Sequence, residues 1–305
     1  QTRKASPCIP DLLQQKTDQG KTKSSTPTGR FSITQSIISS PPPQEAPQPE
    51  ESVPDRVRKA IAANPNAGVV FVQDDGTETF ERYKDLWTRA EITLAGLRKL
   101  GCRKGDSVII QLRRNEDFLA CLWGCFLGGM KAVPLALPTA RHTLEEDRRK
   151  LLRIHELMDH PLVIVDESLR EFLKEFELPK TVQTATPEEI GTDMEPDPDW
   201  TPTSGDEPAF IQFSSGSTGN PKGVQITHRN ILSQVFGMAE HGGATSGDVF
   251  VSWMPLYHDM GLFGYHMLPI LLGAKQVLMN PFLFIRKPLT WLQKLSKHGG
   301  SITAA

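Results

Sequence analysis

The order of apolar and polar positions divides the chain near residue 52. Before it, no apolar period is sustained. Residues 1–51 are rich in Gln, Ser, Thr and Lys and close on "SSPPPQEAPQPEESVP", whose prolines favour an extended, semi-rigid spacer. The expected division is a disordered Pro/Ser/Gln-rich linker over 1–51 and a folded domain over 52–305. The folded part opens on "SVPD", where Ser52 can cap a helix, Pro54 falls in its first turn and Asp55 stands three residues after the cap.

Beyond this start, short apolar runs alternate with helical periods. "GVVFVQDDGTETF" predicts a hairpin turning at Asp75-Gly76, and 81–100 a helix stopped by Gly101. "SVIIQL", "KAVPLAL" and "PLVIVD" predict buried strands, with helices over 116–130 and 145–158 between them. "AFIQF", "GVQIT" and "DVFVSWM" are further strand-like runs, and the acidic, proline-bearing stretch 195–208 reads as a surface connection. The charged runs "RRNEDF" and "EEDRRKLLR" read as solvated helix faces. The closing "GGSITAA" reads as a turn entering a strand. Alternation of this kind predicts an α/β fold with largely parallel strands.

Composition narrows the classes. The 305 residues carry a formal charge of -2, with 38% hydrophobic and 23% charged residues, which suits a soluble protein and gives no footprint for nucleic acid. Cys8, Cys102, Cys121 and Cys125 have no metal-like spacing. Cys121 and Cys125 read as small apolar residues on a buried helix, which fits a reducing, cytoplasmic setting. The longest charge-free apolar runs, 118–130 and 260–274, fall short of the roughly 18 residues a membrane span needs. No signal peptide is visible, and a first residue other than Met points to a piece of a longer protein.

The candidate chemistry sits in "FIQFSSGSTGNPKGVQIT", where a loop rich in Ser, Thr and Gly joins two strand-like runs. Its glycines allow successive backbone N–H groups to cradle an anion, its hydroxyls add donors, and Lys222 adds a cation. Polyphosphate is the natural guest. A Walker loop is disfavoured, because Pro221 replaces the glycine before the lysine, Gly223 replaces the Ser or Thr after it, and a strand follows in place of a helix. The bland alternative is a solvated turn.

"SSGSTGNPKG" resembles the phosphate loop of the adenylate-forming superfamily. "GGMKAVPLALP" (128–138) and "WMPLYHDMGLFGYHMLP" (253–269) are similar to its glycine and proline segment upstream and its His-bearing segment downstream. "PLYHDMGL" and "LFIRKPLTWL" most resemble fatty acyl-AMP ligases and the acyl-ligase loading domains of polyketide and hybrid polyketide–peptide synthases. The resemblance implies the N-terminal part of that family's large domain, with mixed sheets flanked by helices, incomplete at its C-terminus.

It also implies ATP-dependent activation of a carboxylic acid to acyl-AMP with release of pyrophosphate, for transfer to a carrier-protein phosphopantetheine or to CoA. Ser214, Ser215, Gly216, Ser217, Thr218, Gly219 and Lys222 would surround the phosphates, with Thr218 the prime hydroxyl. His258 would lie beside the carboxylate and the α-phosphate, with His258 and Lys222 the catalytic pair. ATP implies magnesium, but the magnesium and adenine segments and the C-terminal lysine lie downstream in the family, so this stretch alone is expected to be inactive.

His266 is expected to pack, His228 to be structural or to start a helix, Trp123 and Phe126 to be core. Met254, Met260, Met267 and Phe263 are left between core and acyl tunnel. Amino-acid adenylation domains place an acid after an aromatic where this chain has Tyr257-His258, which favours a fatty acid as substrate. The competing readings are an amino-acid adenylation domain and a non-catalytic nucleotide-binding or structural fragment of a megasynthase.

Overall fold

The computed structural model describes residues 50–138, 144–174, 178–214 and 221–304; the expected linker falls almost wholly outside them. The order is α1 (Val53–Ala63), the β1 (Gly68–Val72) and β2 (Glu78–Arg82) hairpin, α2 (Tyr83–Lys99), β3 (Ser107–Gln111), α3 (Asn115–Leu127) and β4 (Lys131–Pro134). Then come α4 (Leu144–Leu157), β5 (Leu162–Val165), α5 (Glu167–Lys174), β6 (Thr184–Ala185) and α6 (Pro187–Gly191). A second hairpin, β7 (Pro208–Ser214) and β8 (Lys222–Thr227), leads into α7 (His228–Gly242) and β9 (Val249–Ser252). A π-helix (Met260–Met267), α8 (Leu268–Leu272), β10 (Lys275–Met279), α9 (Pro281–Arg286) and α10 (Leu289–His298) complete it.

Local chemistry sets the element ends. Ser52 Oγ accepts the Asp55 N–H at 3.3 Å while the Asp55 carboxylate accepts the Ser52 N–H at 3.4 Å, the reciprocal cap the sequence foretold. Gly101 takes φ +92° just beyond α2, a conformation closed to most side chains. The helix expected from residue 81 begins instead at Tyr83, because Glu81 and Arg82 still pair with β1. β4 stops at Pro134, well short of the run "KAVPLAL".

Two sheets form, in orders β2-β1-β10-β9 and β6-β5-β3-β4-β7-β8. All neighbours are parallel except within the two hairpins. Ile302 makes a parallel bridge to Phe250, so the closing segment does enter a strand-like pairing. Alternation along the strands assigns faces: Val108 and Ile110 join the core that contains α2 and α3, and Ile109 joins the opposite face with Leu151 and Ile154 of α4. On the four-stranded sheet, Val69 and Phe71 face α2 and α3, and Val70 and Val72 pack with Leu283 of α9. Two sheets thus enclose the α2–α3 layer and carry helices outside.

Because α3 is covered on every side, it is apolar all round. Trp123 and Phe126 are fully buried core, and burial pushes the Cys121 and Cys125 thiols far up, as befits inert packing groups. One surface reading needs correction. Glu116 of "RRNEDF" is buried, held by Gln73 and Arg114 at 3.1 and 3.0 Å. The 195–208 connection runs over the surface as expected and is tied to it: Trp200 sits edge-on to Trp87 at 4.9 Å, and Asp197 pairs with Arg98.

Candidate active site

The β7–β8 hairpin carries the Ser/Gly/Thr loop at its tip, with Ser214 and Lys222 opposite each other across the ladder. Ser215, Gly216, Ser217, Thr218 and Gly219 lie outside the described residues, and of Ser214 only the backbone is described. Lys222 is exposed at the foot of the loop. A strand follows it, as a Walker loop would not allow.

The second part comes from the carboxyl end of β9. After Ser252 the chain turns at Pro255, whose carbonyl accepts the His258 N–H at 3.1 Å, and Asp259 caps the π-helix by accepting the Met260 N–H at 2.7 Å. His258 Nδ1 lies 2.7 Å from the same Asp259 oxygen and 3.3 Å from the Met260 nitrogen. Both contacts fall on Nδ1, and neither engages Nε2. The imidazole is 56% exposed, open to a ligand.

Gly261 is where this turn and the π-helix touch. A Cβ there would sit 2.1 Å from the Pro255 carbonyl oxygen. Gly261→Ala must push the helix off the turn that holds His258, and is expected to lower stability by about 1–3 kcal/mol in denaturant unfolding.

His258 and Asp259 line a cleft of about 970 Å³, at the upper end of the roughly 300–1,000 Å³ usual for ligand sites. Pro134 at the end of β4, Leu135 just beyond it, Gln212 and Phe213 of β7, and Val224 and Ile226 of β8 form one side. Met238 of α7 and Met260 and Phe263 of the π-helix form the other. Met267 is fully buried and Met254 packs against the core, so the ambiguous apolar set divides: Met260 and Phe263 face the cleft and the other two fill the interior. Lys222 is not among the lining residues.

Lys150, from the run read as a solvated face, does line the cleft, and is the only lysine or arginine among the described residues that do. Nothing in its charged surroundings signalled this. Gln212 and Met238 were missed as well, because strand and helix patterns show burial but not which cavity a side chain meets.

His266 and His228 serve the packing. His266 is fully buried, accepting the Trp123 indole N–H on Nε2 at 2.8 Å and meeting Gln276 Oε1 through Nδ1 at 3.1 Å. Gln276 in turn donates to Tyr83, whose hydroxyl donates to the Ala274 carbonyl. His228 begins α7, and its Nδ1 accepts the Val53 N–H at 3.4 Å, tying α7 to α1. Burial drives both down to about 4, so both are neutral.

The profile of the AMP-binding enzyme family, described as "AMP-binding enzyme", matches residues 57–305. The chain belongs to the AMP-binding enzyme family. It is 29% identical over 270 residues to a 4-hydroxyphenylalkanoate adenylyltransferase of Mycobacterium marinum, which covers 84% of this chain and 43% of that protein. With the long-chain-fatty-acid–AMP ligase FadD32 of Mycolicibacterium smegmatis it shares 33% identity over 218 residues, 66% of this chain and 32% of that one. Among solved structures it is similar to McyG A-PCP complexed with phenylalanyl-adenylate, with TM-score 0.78 and 31% identity over 83% of this chain and 40% of that chain.

The chain thus spans less than half the length of these relatives. What it holds is part of the adenylation fold, two mixed sheets flanked by helices. Among the described residues no helix is long and apolar enough to cross a membrane.

Proposed function

We propose that the whole protein uses ATP to activate a carboxylic acid, a fatty acid in preference to others, as its acyl-adenylate. A carboxylate oxygen attacks the α-phosphorus, the bond to the β-phosphate breaks and pyrophosphate leaves; a phosphopantetheine thiol of a carrier protein or of CoA then attacks the acyl carbon, loses its proton, and AMP leaves as the acyl C–O bond breaks. The observation that carries this reading is His258 lining the cleft that the loop-bearing β7–β8 hairpin helps to wall.

Both reactants are anionic, so catalysis demands cations and N–H donors that hold them in line and meet charge on the departing pyrophosphate. Ser214, Ser215, Gly216, Ser217, Thr218 and Gly219 are assigned to the β- and γ-phosphates and Lys222 to the charge that develops there. His258 is assigned to the carboxylate and the α-phosphate. Its Nδ1 is engaged by Asp259, which aims the ring and leaves Nε2 for the ligand. Magnesium accompanies ATP, but no three His, Cys, Asp or Glu among the described residues gather as a metal site, so no step is routed through it.

A fatty acid suits the cleft because Val224, Ile226, Met238, Met260 and Phe263 give it apolar wall beside the polar groups near His258. The one carboxylate among the described lining residues, Asp259, is taken up by the Met260 N–H and His258, leaving no dedicated partner for a substrate ammonium. Residues 1–51 are read as a linker preceding the domain over 52–305, and the cytoplasm as the setting.

ATP–pyrophosphate exchange on the whole protein, run across fatty, aryl and amino acids, is expected to be strongest with a fatty acid. Strong exchange with an amino acid and none with any fatty acid would overturn the assignment.

A further inference from the structure

Gln212 lies on β7 two residues before the loop, and strand alternation puts it on the same face as Phe210. That face looks toward the His258 segment. Phe210 meets Phe263 of the π-helix at 5.7 Å between ring centroids, and Gln212 Nε2 donates to the Tyr257 carbonyl at 3.0 Å. Ile211 and Phe213, on the other face, pack with the outer cluster beneath α4 and α5. A carbonyl only accepts, so the amide nitrogen must be the end that faces Tyr257, and the side-chain orientation is settled by chemistry.

The Tyr257 carbonyl and the His258 N–H belong to one peptide group. Its oxygen is held by Gln212, and its N–H is held by the Pro255 carbonyl at 3.1 Å. A peptide plane fastened at both ends cannot rotate without breaking a hydrogen bond, and the His258 Cα is the next atom along. The His258 carbonyl then accepts the Leu262 N–H at 2.9 Å, which joins the clamped group to the π-helix.

We propose that Gln212 is a positioning residue: by clamping the Tyr257–His258 peptide it aims His258, and it links that aim to the hairpin that bears the phosphate loop. This rests on the role given to His258 under the proposed function. The link is direct, because Gln212 and Ser214 share one short strand.

The test has a kinetic arm and an activity-independent arm. Gln212→Met keeps the side-chain length and removes the donor. In the whole protein it is expected to lower the turnover of ATP–pyrophosphate exchange about tenfold, with the KM for ATP moving less than about twofold. In a His258→Ala background the same change is expected to cost less than about twofold, because what Gln212 aims is gone.

In the 305-residue chain, hydrogen exchange at the His258 amide is expected to quicken about tenfold in Gln212→Met while the β7 amides keep their protection. Equal losses in both backgrounds, no loss in either, or unaltered His258 protection would each overturn the inference. A whole protein silent toward every acid defeats the proposed function instead, and hydrogen exchange then decides the clamp alone. Should the Met variant fail to fold, Gln212→Asn, too short to reach the carbonyl, takes its place in both arms.

Discussion

Replacing Lys222 or Thr218 by Ala in the whole protein is expected to lower adenylation turnover about a hundredfold, while Thr218→Ser remains within a fewfold of the native rate. The reason is where charge goes. As the α–β bond breaks, pyrophosphate gains negative charge, and donors already aimed at it need not reorganise. Losing one such donor costs on the order of 3 kcal/mol, which corresponds to about a hundredfold in rate. The structure puts Lys222 directly across the ladder from Ser214, at the foot of the loop that contains Thr218. Serine retains the hydroxyl at the price of a methyl group, hence the mild effect. Single-turnover acyl-adenylate formation, with circular dichroism to verify folding, measures this. Native rates in both alanine variants would return the loop to a solvated turn.

Stability is expected to fall steeply between pH 6.5 and 4, well before general acid denaturation. His228 and His266 are buried and neutral, each lowered from 6.5 to about 4. Below 6.5 the unfolded chain takes up protons at these positions while the folded chain does not, so unfolding gains from every proton bound. The stabilisation is whole above 6.5, shrinks as pH falls, and levels off near 4 where the folded protein protonates too. Each histidine contributes about 3 kcal/mol over that window.

His155, lowered mainly by burial, acts in the same direction. Glu78 acts in a separate window. Its ion pairs with Lys294 and Lys297 and its contact with His298 hold it at about 2, against 4.5 for an ordinary glutamate, so its contribution persists above 4.5 and is lost toward 2. Denaturant unfolding of this chain at pH 7.0, 5.5 and 4.5 reads the histidine window directly. His228→Gln and His266→Gln should each flatten the slope, and equal stability at pH 7.0 and 4.5 in the native chain would disprove the account.

The parts of the site differ in how openly the sequence displays them. The loop and "PLYHDMGL" could be singled out because their chemistry is carried by contiguous residues. Gln212 and Lys150 could not, since one sits in an apolar strand and the other in a run of charges, and only folding brings both to the cleft. Glu116 misled for the converse reason: a charged run marks solvent on average, and no local pattern reveals that Gln73, 43 positions away, will hydrogen-bond it.

The sequence by itself determined the α/β alternation, the cap at Ser52, the hairpin at Asp75-Gly76, the strand after Lys222 and the family to which the chain belongs. All of these depend on neighbours a few residues apart, where spacing and side-chain chemistry act directly. Only the tertiary structure decided that β1 pairs with β10, that β7 lies beside β4, and that Gln212 meets the peptide before His258. It also placed the π-helix against the Pro255 turn, with Gly261 leaving the room for it. Such pairings join residues far apart in sequence, and they are selected by the collective burial of apolar faces rather than by any one residue's preference.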